Sequence, residues 1–135
     1  MTQKKKLTIC ASMAFSKEIG IWRTNLAEGG YEVIQYPKEF EGEFLPNYKI
    51  EFSEHYQKMT DSDVVFILNL QKKGIDGYIG AAVFAEIAFA IGLNRTSRQD
   101  NPIKVCHLNP FPDELPYREE LQHWQDLGWL VPWEN

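Results

Sequence analysis

Glu86 is the one charged residue in the run Ala81-Ala82-Val83-Phe84-Ala85-Glu86-Ile87-Ala88-Phe89-Ala90-Ile91. A carboxylate among apolar side chains must be paired, protonated or turned into an open space, because an isolated buried charge is very costly. Facing a cavity it would be a functional group able to meet a ligand. Paired with an arginine, or capping a backbone group, it would be structural. Ala82 and Ala90, one helical turn away on the same face, are small and leave room for a ligand.

Upstream of that run, Gly74, Gly77 and Gly80 fall at three-residue intervals. Glycines let backbone N–H groups approach an anion, and a following helix adds favourable partial charge. The spacing matches neither the dinucleotide fingerprint nor a Walker A loop, and an ordinary turn is the competing reading. Asn69 precedes this loop and suits either a hydrogen bond to a sugar or the cap of a turn. His55, between Glu54 and Tyr56, is a residue type that titrates near neutrality and suits acid–base work. The plainer alternative is a surface or core histidine. Tyr36, Tyr48, Tyr78 and the tryptophans offer aromatic area on which a nucleobase could stack; Trp124, Trp129 and Trp133 crowd the C-terminus and suit a packed tail or a dimer contact. His107 and His123 are less suggestive. Cys106 and His107 are adjacent and on a strand would point to opposite faces, so no metal site and no cofactor is expected.

The elements that must position these residues follow from periodicity. Leu7–Ala11 is a short β-prone run ending at Ser12. Residues 15–28 read as a helix, with Phe15, Ile19, Trp22 and Leu26 on one face and Gly29-Gly30 as the stop. Tyr31–Tyr36 is a second strand closed by Pro37; 37–47, with two prolines and a glycine, is expected to be a loop or flap, and a helix is expected from about Tyr48 to Met59. Asp63–Asn69 has the continuous apolar centre of a central parallel strand. A helix from about Gly80 to Leu93, apolar on all sides and so expected to be buried on all sides, precedes a strand at Ile103–Leu108 and a short helix near Tyr117–Trp124. Alternating strands and helices imply an α/β fold: one Rossmann- or flavodoxin-like three-layer domain over 1–135, with a four- to five-stranded parallel sheet and right-handed crossovers. Such sheets bind ligands at the carboxyl ends of their strands, which points to the loops starting at Ser12 and Asn69.

On these residues the chain resembles the nucleoside 2-deoxyribosyltransferase superfamily, including its nucleotide N-glycoside hydrolases. The resemblance covers roughly residues 7–110. It rests on Cys10-Ala11-Ser12 after the first strand, on Ser62-Asp63-Val64-Val65-Phe66-Ile67-Leu68, and on the Gly-rich loop leading to Glu86-Ile87-Ala88-Phe89-Ala90. It implies that Glu86 is the nucleophile that attacks an anomeric carbon, and that Ser12 and the loop of Gly74, Gly77, Tyr78 and Gly80 hold the sugar or a 5′-phosphate. It also implies a homodimer or larger assembly. The resemblance places a family tyrosine at Thr8 and the family's acidic helper at or near His55. Ala88 stands where the family has glycine, and Met13-Ala14-Phe15 lacks the arginine often found after the serine.

Composition narrows the field. The 135 residues carry 14 Lys and Arg against 19 Asp and Glu, a net charge of −5, which disfavours a nucleic-acid polymer as partner. No run reaches the roughly 18 apolar residues of a membrane span. Lys4-Lys5-Lys6 before Leu7 to Phe15 imitates a signal peptide, but Thr8 and Ser12 interrupt it. Two cysteines are too few for a disulfide scaffold, and reduced thiols suit a cytoplasmic protein. The expected activity is cleavage of the N-glycosidic bond of a nucleoside or nucleoside 5′-monophosphate through Glu86, with His55 supplying a proton. The alternatives are a nucleotide-binding or sensor protein that keeps the pocket without turnover, and a flavodoxin-like interaction domain.

Overall fold

A computed structural model describes residues 3–134. Five parallel strands form one sheet: β1 (Lys5–Cys10), β2 (Tyr31–Gln35), β3 (Val64–Ile67), β4 (Lys104–His107) and β5 (Val131–Pro132), in the order β2-β1-β3-β4-β5. Four helices connect them: α1 (Ser16–Glu28), preceded by a 3-10 turn at Met13–Phe15, then α2 (Phe44–Thr60), α3 (Ala81–Arg95) and α4 (Arg118–Asp126). The expected α/β sandwich is the observed fold. The chain moves outward from β1 to β2, then returns across β1 to β3 and on to β5, so the topological switch lies between β1 and β3.

Alternation along β1 builds both layers. Leu7, Ile9 and Ala11 face α1, packing with Ile19, Leu26 and Phe66; Cys10 faces the other layer, where Val65, Ile67, Met59, Val83 and Ile87 meet Leu121 of α4. All four β3 residues are buried, as its continuous apolar run requires of a strand covered on both faces. The register aligns Cys10 with Ile67 and Ile67 with His107, so the carboxyl ends of β1, β3 and β4 finish level.

Two expectations change, and a third is narrowed. α2 begins at Phe44 rather than near Tyr48, with Pro46 inside its first turn, where the missing N–H has no intrahelical partner to lose. α3 is not enclosed on every side: Ala81, Ala82 and Ala85 are exposed, while Val83, Ile87, Ala90 and Ile91 are buried. The C-terminal tryptophans belong to the chain's own packing. Trp133 lies against Tyr31 and Phe66, and Trp124 against Phe84. Exposed apolar area is instead found on α2, at Phe44, Leu45, Tyr48, Ile50 and Phe52. No helix among the described residues is long and apolar enough to cross a membrane.

Candidate active site

The carboxyl ends of β1 and β2, with α2 and the start of α3, enclose an open cavity of about 660 Å³, within the size range of small-molecule sites. Glu86, on the α3 face left open by the alanines, lines it together with Ala81, Ala82 and Ala85. The Glu86 side chain is 15% exposed, and its Oε1 lies 3.3 Å from His55 Nε2. No guanidinium clamps it: among the described residues His55 is its one ionic neighbour, and the acid looks into the cavity.

His55 reaches this point because α2 crosses the end of β2 with His55 and Met59, one turn apart, on its buried face. Its Nε2 is 3.5 Å from Cys10 Sγ, and its Nδ1 is 3.2 Å from Gln35 Nε2. Gln35, the last residue of β2, is 1% exposed; its Oε1 accepts from Lys38 Nζ at 3.0 Å. Cys10, the last residue of β1, is fully buried. Burial pushes its thiol well above the ordinary range, with the Glu86 charge and a hydrogen bond to Glu86 acting in the same direction. Tyr56, at the cavity wall, is raised to about 12 by burial first and then by Glu86. The site therefore holds a neutral thiol and a neutral phenol around one carboxylate.

The opposite wall is polar and cationic. Lys72 Nζ donates to Ser12 Oγ at 3.0 Å, and the same oxygen accepts from the Ala14 N–H at 3.2 Å. Lys72 Nζ also sits 5.3 Å from the Tyr78 ring centre. Tyr48 and Phe52 stand on α2 as part of an aromatic ladder running from Phe40 through Phe44 to Tyr56 and on to Phe89. They supply flat apolar area beside the acid.

Of the residues singled out in the sequence, Glu86, His55, Ser12, Tyr78 and Gly80 line this one cavity. Asn69, Gly74 and Gly77 do not. Asn69 is fully buried and saturated: its Oδ1 accepts from the Leu108 and Asn109 N–H groups, and its Nδ2 donates to the Gly77 and Asn109 carbonyls. It is the turn-capping reading of Asn69 that the contacts fit. Gly74 and Gly77 have φ of +75° and +73°, so the loop needs them for its turns, and a Cβ on Gly77 would meet the Pro110 carbonyl oxygen at 2.2 Å. The Thr8 hydroxyl bonds Ser62, and the β1 side chain that reaches Glu86 is Cys10.

Cys10, Gln35, Lys38 and Lys72 were given no role in the site from the sequence. The first two end strands β1 and β2, so the carboxyl-end rule was the available signal. Cys10, His55 and Glu86 place one potential metal-donor atom each within 4.8 Å of one another, a cluster drawn from three separate elements that linear spacing does not register. Comparison with protein-family models, curated proteins and solved structures finds no match for this chain.

Proposed function

We propose that the protein is an N-glycosidase or deoxyribosyltransferase-like enzyme acting on a nucleoside or nucleoside 5′-monophosphate. The observation that carries this reading is Glu86, a carboxylate in an apolar helix that faces an open cavity without a cationic clamp. A Glu86 oxygen attacks the anomeric carbon as the N-glycosidic bond breaks, and the bonding electron pair leaves with the base. The apolar wall of Tyr48 and Phe52 suits a stacked base, and the His55 N–H, at 3.3 Å from the nucleophile, is a donor for the departing nitrogen. Water then releases the sugar; a second base accepts it in transfer. Ser12 and Lys72, hydrogen-bonded to each other on one wall of the cavity, suit the hydroxymethyl or 5′-phosphate end, with the Lys72 ammonium serving where Met13-Ala14-Phe15 has no arginine.

The test is release of free base from a panel of nucleosides and their 5′-monophosphates. Glu86→Gln is expected to lower the rate by roughly 10³-fold or more, since it removes the nucleophile. Equal activity in the variant, or no release by the wild type, ends this reading. A second reading, a nucleotide-binding or sensor protein, is favoured by the Ser12–Lys72 pair, which forms a ligand seat that does not need Glu86. Thermal stabilisation by a nucleotide without base release would select it.

We also infer a homodimer that covers the exposed face of α2, where Phe44 and Leu45 are 61% and 72% exposed beside the cavity mouth. Light scattering is expected to give a two-chain mass, falling to one chain in Leu45→Glu. Two buried free thiols fit a reducing compartment, and we place the protein in the cytoplasm.

A further inference from the structure

A chain of contacts runs from the cavity rim to Glu86, and each donor settles the role of the next. The Lys38 ammonium only donates, so the Gln35 atom 3.0 Å from it is the carbonyl oxygen. The amide nitrogen at the other end of Gln35 faces the Tyr36 carbonyl at 3.3 Å and His55 Nδ1 at 3.2 Å. Two independent contacts thus orient the same carboxamide. An amide nitrogen donates, so Nδ1 must accept, and a neutral imidazole that accepts at Nδ1 carries its hydrogen on Nε2. That nitrogen lies 3.5 Å from Cys10 Sγ and 3.3 Å from Glu86 Oε1. The thiol in turn has its hydrogen free for the Glu86 carboxylate.

We propose that Gln35 is a positioning residue: held by Lys38 and the Tyr36 carbonyl, it fixes His55 as the neutral Nε2–H tautomer, so that Glu86 faces a neutral donor and stays an unclamped carboxylate. An imidazolium would need a hydrogen on Nδ1 as well, aimed at the Gln35 amide hydrogens in a place where Gln35 is 1% and His55 8% exposed. Donor would meet donor, and each would lose its acceptor in a nearly buried place. The same logic closes the Cys10–His55–Glu86 cluster to a metal ion, which would require the Nε2 lone pair.

The charged and titratable groups around His55 come from every neighbouring element. They are Cys10 from β1, Glu86 from α3, Glu51 and Tyr56 from its own helix, Lys38 after β2, and Lys72 across the cavity. Among the described residues, only Gln35, with no charge of its own, is hydrogen-bonded to Nδ1. The use of the fixed N–H as a neutral electrophile toward a departing base rests on the glycosidase reading. The tautomer does not.

The test is a long-range ¹H–¹⁵N spectrum of the full-length ¹⁵N-labelled protein at neutral pH, without substrate, with His55 assigned by its loss in His55→Gln. The expected wild-type pattern is a hydrogen-bearing Nε2 and a bare Nδ1. Gln35→Glu is expected to place a hydrogen on Nδ1, because a carboxylate can only accept. Lys38→Met, a change at the cavity rim that spares the core, is expected to give a mixture of tautomers as the carboxamide becomes free to turn. Co²⁺ added to the wild type is expected to produce no thiolate-to-cobalt absorption. A wild-type His55 with hydrogen on Nδ1 or on both nitrogens overturns the proposal. So does a pattern unchanged in both Gln35→Glu and Lys38→Met, or a cobalt–thiolate band in the wild type. A purely structural Gln35 would lower thermal stability and leave the tautomer alone. If the tautomer is as stated and no nucleoside releases base, it is the enzymatic reading that fails.

Discussion

Asn69 and Gln35 are both carboxamides, both buried, and both stand at the carboxyl end of a strand in the same sheet, yet they do different work. Asn69 spends all of its bonds on backbone groups of two loops, and so closes the end of the sheet between β3 and β4. Gln35 donates one bond to backbone and one to an imidazole and accepts one from an ammonium, at the edge where the sheet opens into the cavity. A carboxamide saturated by main chain is a clamp. One that touches a titratable group transmits a preference about where a proton sits. The two ends of one sheet edge are thereby divided into a closed half and a half open to the cavity.

The closed half gives the largest expected effect. Gly77→Ala combines a positive φ with a Cβ 2.2 Å from the Pro110 carbonyl oxygen, and neither backbone can yield without breaking the Asn69 contacts. A loss of about 4 kcal/mol or more is expected in denaturant unfolding. Gly74→Ala has nearly the same φ but nothing within 4 Å; it should lose only about 1–2 kcal/mol, the cost of the left-handed conformation alone. Similar losses at the two sites would mean that close packing does not define this half.

The paired carboxamides sharpen the contrast next. Asn69→Ala leaves the Leu108 and Asn109 N–H groups without their partner and should cost about 3 kcal/mol. It should leave the His55 tautomer unmoved. Gln35→Met removes fewer backbone contacts and should cost about 1 kcal/mol, while releasing the tautomer. Unfolding curves and the ring-nitrogen spectrum, measured on both variants, must move in this crossed pattern for the division to hold.

Much of the fold was legible because apolar periodicity reports burial locally. Phe15, Ile19 and Leu26 marked α1, and the unbroken run Val64–Leu68 marked a strand covered on both faces. Glu86 stood out for the same reason, as the one charge in such a run. Pro46 misled because proline in a first helical turn looks in sequence like proline in a loop. Cys10, Gln35 and Lys38 were invisible as site residues, since a small buried thiol and a strand-end glutamine carry no local pattern. Their chemistry exists only once β1, β2, α2 and α3 bring them within hydrogen-bonding distance. The glycine spacing suggested an anion cradle because positive φ at a turn and close approach to a ligand demand the same residue.

The smallest effect tests the second buried histidine, which belongs to the closed half. His107 Nδ1 donates to the Asn109 carbonyl at 2.7 Å, and its Nε2 faces Gln125 Nε2 at 3.3 Å, so its hydrogen sits on the opposite nitrogen from that of His55. Burial lowers its pKa below the ordinary 6.5, with the Asn109 contact opposing in part. As pH falls through about 6.5 the unfolded chain therefore takes up a proton that the folded chain resists. The unfolded state then binds more protons, and stability contributed above that pH is lost progressively below it. Replacing His107 by Gln should flatten the slope of unfolding free energy between neutral pH and the acid side, measured by urea titration at a series of pH values. Asn69 is anchored to the same Asn109 segment, so an unchanged slope would show that the clamp, and not the imidazole, sets the acid sensitivity of this half.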